Sequence, residues 1–270
     1  MPFAIAGIII LLLAGLYLLA VRPRPEPKTS IEPMKTDLAH RGLWGRDEAV
    51  ENTLSAFRAA ERYGFGIEFD LRLTSDGEIV VFHDDTLERM CGRPERVDEL
   101  TASELSWVDL HGTYDRIPTF EDLLACVGKK TPLLIELKGS DVALCEKVAK
   151  ILDGYDGYFA VESFNPFLLD WFRKNRPRFL RGQLTGTFGQ LRKSGFFGAI
   201  GCSSMMFNFL SKPDFIACSL KAEKRLPTLI CSKLFHSPLF IWTVETRADY
   251  EAEKAAGNTV IFQKILPEGK

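Results

Sequence analysis

Short apolar runs recur along this chain, separated by stretches whose apolar positions repeat every three or four residues. The runs are Leu38–His40, Gly66–Leu71, Ile79–His83, Pro132–Leu137, Tyr158–Ser163, Phe179–Leu184, Phe215–Ser219, Leu239–Val244 and Thr259–Phe262. Each has the length and content of a buried strand. Helical patterns lie between most of them, at Thr53–Tyr63, Thr119–Val127, Asp141–Leu152, Pro166–Asn175 and Thr246–Ala256. Asn52 or Thr53 is positioned to cap the first of these. Thr119 caps the second, with Glu121 and Asp122 in its first turn, where the helix dipole favours them. Such alternation predicts an α/β protein, a closed parallel barrel with its helices outside.

Nine strand-like runs are one too many for eight barrel positions. Thr74-Ser75-Asp76-Gly77 is a hairpin signal between two alternating runs. Ile79–His83 is therefore expected to fold back over Gly66–Leu71. A loop centred on Asp76-Gly77 would set His83 opposite Asp70; one residue earlier, opposite Glu68.

Ahead of the barrel, Ala4 to Val21 is an 18-residue run without charge. As a helix it is about 27 Å long, close to the roughly 30 Å of bilayer hydrocarbon. No Lys or Arg precedes it and no A-x-A cleavage site follows, which favours an uncleaved anchor over a signal peptide. Arg22, Arg24 and Lys28 follow the run, so the body of the protein is expected on the cytoplasmic side of a single span. Pro23, Pro25, Pro27 and Pro33 alternate with charged residues after it. That composition predicts an extended tether that does not pack. The expected division is a transmembrane anchor over 1–21, a tether over 22–36 and a barrel domain over 37–270.

Net charge is −2, so no basic surface points to nucleic acid. The six cysteines are scattered and form no C-x-x-C pair. That argues against a zinc knuckle or small disulfide scaffold and fits buried free thiols.

The candidate chemistry sits at strand ends. Glu68 and Asp70 are two apart on one strand and project to one face. An isolated pair of this kind is usually solvated, but Ile67, Phe69 and Leu71 make this strand buried on both faces. Buried carboxylates need partners, and an all-oxygen set suits magnesium or calcium. Glu136 and Lys138 repeat the pattern near the carboxyl end of another strand, the active end of such barrels. Glu136 is a candidate third ligand and Lys138 a point charge for a phosphate oxygen. His40 and His83 each end an apolar run, and imidazole titrates near neutral pH as acid–base work requires. Arg41 is suited to clamp phosphate oxygens. His111 and His236 lack such company and read as structural or surface groups.

The blocks AHRG (39–42), ENT (51–53), EFD (68–70), LTSDG (73–77), VFHD (81–84), ELK (136–138) and WTV (242–244), with the segment from Ile117 to Leu124, resemble the glycerophosphodiester phosphodiesterase family. The resemblance runs from Leu38 to Val244, dense up to Lys138 and sparse beyond. It implies a TIM (β/α)8 barrel with an inserted subdomain at about 85–117. It also implies metal-dependent hydrolysis of glycerophosphodiesters to sn-glycerol 3-phosphate and an alcohol. Carried over by position, Glu68, Asp70 and Glu136 hold one divalent metal, Mg²⁺ or Ca²⁺. His40 and His83 are the acid–base pair, and Arg41 and Lys138 hold the substrate phosphate. Asn52 helps to order the site, and Phe164 and Trp242 line the pocket. The implied partners are a small-molecule or lysolipid phosphodiester and, through the N-terminal helix, a membrane.

Two features depart from the family pattern. Gln263 stands where an aspartate is usual near the end of the last strand. Gly186 to Leu210, rich in Gly and Phe, matches loosely and is expected to cover the barrel mouth or touch the membrane. Three other readings stay open: a lysophospholipase D-type enzyme, a phosphatidylinositol phospholipase C-like phosphodiesterase, and a non-catalytic membrane-bound binding protein.

Overall fold

The chain is described by a computed structural model over residues 2–45, 49–192 and 195–267. Helix α1 (Pro2–Val21) precedes β1 (Leu38–His40), α2 (Leu54–Arg62), β2 (Gly66–Leu73) and β3 (Ile79–Val81). An insertion with α3 (Glu88–Cys91) and α4 (Ala102–Ser106) leads to α5 (Phe120–Cys126) and β4 (Leu133–Leu137). The rest alternates: α6 (Val142–Leu152), β5 (Phe159–Ser163), α7 (Pro166–Asn175), β6 (Leu180–Thr185), α8 (Gly195–Ser203), α9 (Asn208–Ser211) and β7 (Phe215–Ser219). It closes with α10 (Leu226–Leu229), β8 (Leu239–Val244), α11 (Arg247–Ala255) and β9 (Thr259–Phe262).

The barrel is closed. Strands β1, β2, β4, β5, β6, β7, β8 and β9 pair in parallel in that order, and β9 returns to β1. Side chains alternate between two cores, as strand geometry requires. Inside lie Leu38, Leu134, Leu180, Phe215, Phe240 and Ile261. The Phe215 and Phe240 rings stack at 4.2 Å. Gly182 leaves the room they need, since a Cβ there would come within 2.1 Å of the Phe215 ring. The alternate residues of each strand, among them Ile67, Phe69, Ile135, Val161 and Ile241, face the helices instead. The expected helices form, and Thr53 and Thr119 cap theirs as expected; Asp141 and Thr246 likewise each accept a backbone N–H of the first turn. Because Thr53 takes the cap of α2, the Asn52 side chain is released for other work.

The ninth strand is the predicted hairpin arm. β3 pairs antiparallel with the upper half of β2, on the edge that the three-residue β1 leaves open. The register differs from both expectations by one residue. Leu73 pairs with Ile79 across the five-residue loop Thr74–Glu78, which is centred on Asp76. The Thr74 N–H bonds to the Glu78 carbonyl at 3.0 Å, and the Gly77 N–H to the Thr74 carbonyl at 3.0 Å. Such an odd-numbered loop shifts the pairing, so continued register would oppose His83 to Phe69. The strand ends at Val81, however, and His83 reaches the mouth from the loop beyond it. The inserted residues carry a small core of their own, with Leu87, Met90, Val97, Leu105 and Leu110 packed under Val80 and Phe82.

Residues 22–36 do not behave as an unpacked tether. Arg24 forms an ion pair with buried Asp214 at 2.7 Å and donates to the Pro177 carbonyl at 2.7 Å. Ile31 and Met34, brought together by a single 3-10 turn, are buried in the interior core. The proline content is compatible with extension, but two apolar side chains had a floor to fill at the amino end of the barrel. Burying them outweighs the stiffness of the intervening prolines.

Candidate active site

The barrel-facing residues of β1, β2, β4 and β5 change character from apolar to charged as they approach the carboxyl end. His40 pairs in register with Glu68, Asp70 with Glu136, and Glu136 with Glu162. In-register neighbours on parallel strands face the same way. The Leu38–Leu134–Leu180 layer is thus roofed by a layer of ionisable groups. His40, Arg41, Glu68, His83, Glu136 and Lys138 line a cavity of about 110 Å³, with Phe164 and Trp242 as its apolar wall.

Glu68, Asp70 and Glu136 are all buried, and each brings an oxygen within 4.8 Å of the others. Burial, with the Asp70 and Glu136 charges added, raises the Glu68 pKa well above the ordinary carboxyl range. Burial also raises Glu136, against the opposing charge of Lys138. Asp70 goes the other way: its burial is outweighed by Lys138, His83 and Arg41, which hold it well below its usual value. Lys138 Nζ lies 2.7 Å from Glu136 and 3.1 Å from Asp70. Those two charges keep Lys138 protonated despite its burial. Crowded carboxylates of this kind fit an oxygen-coordinated divalent cation, which would relieve the repulsion that raises Glu68.

Arg41 and Asn52 owe their positions to strained backbone. Both have positive φ, 59° in each case. Gly42 follows Arg41 at φ 80°, and a Cβ there would approach Ala56 to 2.8 Å, so this tight turn demands glycine. The turn aims the Arg41 N–H at Glu68 (2.9 Å) and its guanidinium at Glu51 (2.7 Å) and Asp70 (3.5 Å). Asn52 donates to Asp70 at 2.8 Å.

The two histidines have different partners. His40 Nδ1 is 2.7 Å from Gln263 Oε1, and His40 Nε2 faces Glu68 at 3.9 Å. Burial and then the Arg41 charge lower the His40 pKa to about 3. His83 Nδ1 is 2.7 Å from Asp84, whose other oxygen accepts from Arg89 at 2.6 Å. Those two partners outweigh burial and hold Asp84 well below the usual carboxylate range.

Every candidate residue read from the sequence lies at this one mouth. His111 and His236 are exposed and away from it. Three residues were overlooked as contributors. Glu51 bridges Arg41 and Arg89, the latter at 2.6 Å. Glu162 is buried in the cavity wall, one oxygen without a partner, its pKa raised well above normal by burial and by Glu68 and Glu136. Its signal was strand alternation, since it is the next-to-last residue of β5 as Glu136 is of β4. Glu245 accepts a hydrogen bond from Gln263 Nε2. Only the closure of the barrel brings Glu245 and Gln263 to His40.

Carboxylates that suit a cation, cations that suit a phosphate and paired imidazoles at a parallel barrel mouth mark a barrel phosphodiesterase in kind. The chain belongs to the glycerophosphoryl diester phosphodiesterase family, whose model matches residues 40–262. The glycerophosphodiester phosphodiesterase of Caldanaerobacter subterraneus is 29% identical over 236 residues, covering 82% of this chain and 90% of that protein. The fold is that of a phosphodiesterase from Oleispira antarctica, solved in complex with the product sn-glycerol-3-phosphate. Its TM-score is 0.68 at 20% identity, over 84% of this chain and 91% of that one. A glycerophosphodiester phosphodiesterase from Thermotoga maritima superposes with TM-score 0.65 at 23% identity, over 88% of this chain and 94% of that one.

Proposed function

We propose that this protein hydrolyses glycerophosphodiesters to sn-glycerol 3-phosphate and an alcohol, as part of lipid and glycerol metabolism. The observation that carries the reading is the convergence of Glu68, Glu136, Lys138, Arg41 and both histidines on one cavity, with Asp70 grouped directly against them. In this reading Glu68, Asp70 and Glu136 hold Mg²⁺ or Ca²⁺, which when bound supplies Lewis acidity to the phosphoryl oxygens. Lys138, released from part of its carboxylate pairing, stabilises charge growing on the phosphate. Arg41 does the same from the other side, held at a fixed angle by Glu51.

The partners of the histidines support different roles for them. Gln263 turns its NH₂ toward the Glu245 carboxylate, which can only accept. Its carbonyl oxygen therefore faces His40 and requires a proton on Nδ1. That leaves the Nε2 lone pair toward the cavity, and a neutral amide does little to favour imidazolium. His40 is thus the general base for the attacking hydroxyl, of water or of the glycerol 2-position. His83 Nδ1 faces the Asp84 carboxylate, which can only accept, so Nδ1 donates there and the ring is held by a full charge. It is the general acid that protonates the leaving alkoxide. Gln263→Ala is expected to lower kcat roughly 10–100-fold with little change in KM, because it frees the His40 ring without touching substrate. Gln263→Glu should restore part of kcat and shift the basic-group limb of the pH–rate profile upward. A loss confined to KM would overturn this positioning role.

Helix α1 is long and apolar enough to be a membrane span or a signal sequence. We read it as an uncleaved single span with the barrel on the cytoplasmic side. Exposed Arg22 and Lys28 support that orientation, whereas Arg24 is committed to Asp214.

The test of the activity is release of glycerol 3-phosphate from glycerophosphocholine and glycerophosphoethanolamine by the full chain, with EDTA and after restoring Mg²⁺ or Ca²⁺. Metal-restored release supports the proposal. No release with either metal would overturn it. Lysophosphatidic acid formed from lysophosphatidylcholine would extend the substrate to lysolipids.

A further inference from the structure

We propose that the barrel mouth faces the bilayer that holds α1, and that exposed apolar side chains of α8 and α10 form a bilayer-docking surface around it. The inference rests on the reading of α1 as a membrane anchor.

The direction of α1 comes from its contacts. The chain leaving β6 descends the outside of the barrel from the mouth to the amino end of β7, passing Ser204 before Asn208. The chain leaving β7 descends likewise toward β8, passing Arg225 before Cys231. α1 packs between these two descending segments. The Val21 carbonyl accepts from Asn208 at 2.8 Å and from Cys231 Sγ at 3.5 Å. The Tyr17 hydroxyl, one turn earlier in α1, donates to the Ser204 carbonyl at 3.0 Å. The step from Val21 to Tyr17 therefore climbs toward the mouth. The remainder, from Phe3 to Leu16, continues in that direction and is exposed along its whole length. That is about 21 Å of bare apolar helix rising on the mouth side.

The rim beside this exit is apolar as well. Phe196 is 64% exposed, Phe197 84% and Leu226 68%. Ile200 and Leu229 add to them on the same helices. Exposed Lys221 and Lys224 stand just before α10, suited to anionic head groups. Exposed apolar side chains clustered on each of two helices call for a partner, and α1 puts a bilayer within their reach.

The rim is also joined to the site. Trp242 and Phe164, the apolar wall of the cavity, meet edge to face at 5.7 Å. Phe164 and Phe188 pack on one small cluster. Phe188 meets Phe196 at 5.9 Å, and Phe196 meets Phe197 at 5.6 Å. An apolar path thus leads from the docking surface to the catalytic cavity.

The test is photocrosslinking of the full chain carrying benzoylphenylalanine in place of Phe197, or of Tyr158 at the amino end of the barrel, which is 50% exposed. The protein is reconstituted in phosphatidylcholine–phosphatidylglycerol vesicles with a labelled lipid, irradiated and washed with carbonate. The expected result is a retained protein with a lipid adduct from position 197 and none above background from 158. A retained protein with no excess adduct at 197 would overturn the docking surface and leave the anchor standing. A crosslinked dimer at 197 in place of a lipid adduct would assign the rim to a second copy and equally overturn it. Release of the chain by carbonate would overturn the anchor and the surface together. None of these readouts depends on turnover, so they separate this inference from the proposed activity.

Discussion

Glu68→Gln raises the melting temperature of the metal-free protein and removes the further rise that Mg²⁺ or Ca²⁺ gives the wild type. The wild type buries Glu68, Asp70 and Glu136 with oxygens within 4.8 Å, a costly arrangement without a cation. The amide keeps the acceptor for the Arg41 N–H and removes one charge from the cluster. A cation at one hundred times its Kd stabilises the fold by about 2.7 kcal/mol. For a barrel of this size that corresponds to roughly 5–10 °C, and Glu68→Gln should lose most of it. The pH dependence has a definite sign. A carboxyl with a raised folded pKa binds protons more tightly when folded. Glu68, Glu136 and Glu162 are all raised. Their contribution to stability is therefore present below the unfolded value, about 4.3, and is lost as pH rises through the folded values. Melting in EDTA between acid and neutral pH should show this decline in the wild type and a shallower one in Glu68→Gln. A variant that keeps the full metal-induced shift would sink the assignment of Glu68 as a ligand.

The second large effect separates the histidines. His40→Ala and His83→Ala should each lower kcat by roughly 10²–10⁴-fold with a natural diester, the usual range for a lost acid or base. With a nitrophenyl ester of glycerol phosphate the leaving group departs without protonation. His83→Ala should then recover most of its rate, and His40→Ala should not. Steady-state kinetics on both substrates decides the matter. Recovery by His40→Ala alone would reverse the two roles, and recovery by neither would remove His83 from the leaving-group side. The asymmetry follows from what each Nδ1 meets, a neutral amide at His40 and a carboxylate at His83.

How far the chain could be read ahead of its structure depended on distance along it. Strand parity alone placed Glu68 and Asp70 on one face and Glu136 with Lys138 on another, and closure put all four together. Thr119 followed by Asp122 announced the start of α5, and a complete capping box forms there. The hairpin was legible, but its register was not. Thr74 and Glu78 bond across a five-residue loop, and two-residue turn rules cannot anticipate that pairing. The segment before the barrel was misjudged because its prolines and charges dominate its composition. Ile31 and Met34 became meaningful only once the barrel floor offered them a cavity.

The sequence by itself determined the class of the fold, the identity of the charged groups at the strand ends and the apolar helix that precedes them. Those properties are local: they follow from period, burial preference and capping within a few residues. The tertiary structure decided which groups act as partners. Gln263 reaches His40 across 223 positions, and Arg24 finds Asp214 across 190. Such pairings are made by barrel closure and by the descent of the loops around it, and no local pattern encodes them. The same long-range packing of Tyr17 and Val21 against Ser204 and Asn208 sets the direction in which the apolar helix leaves the barrel.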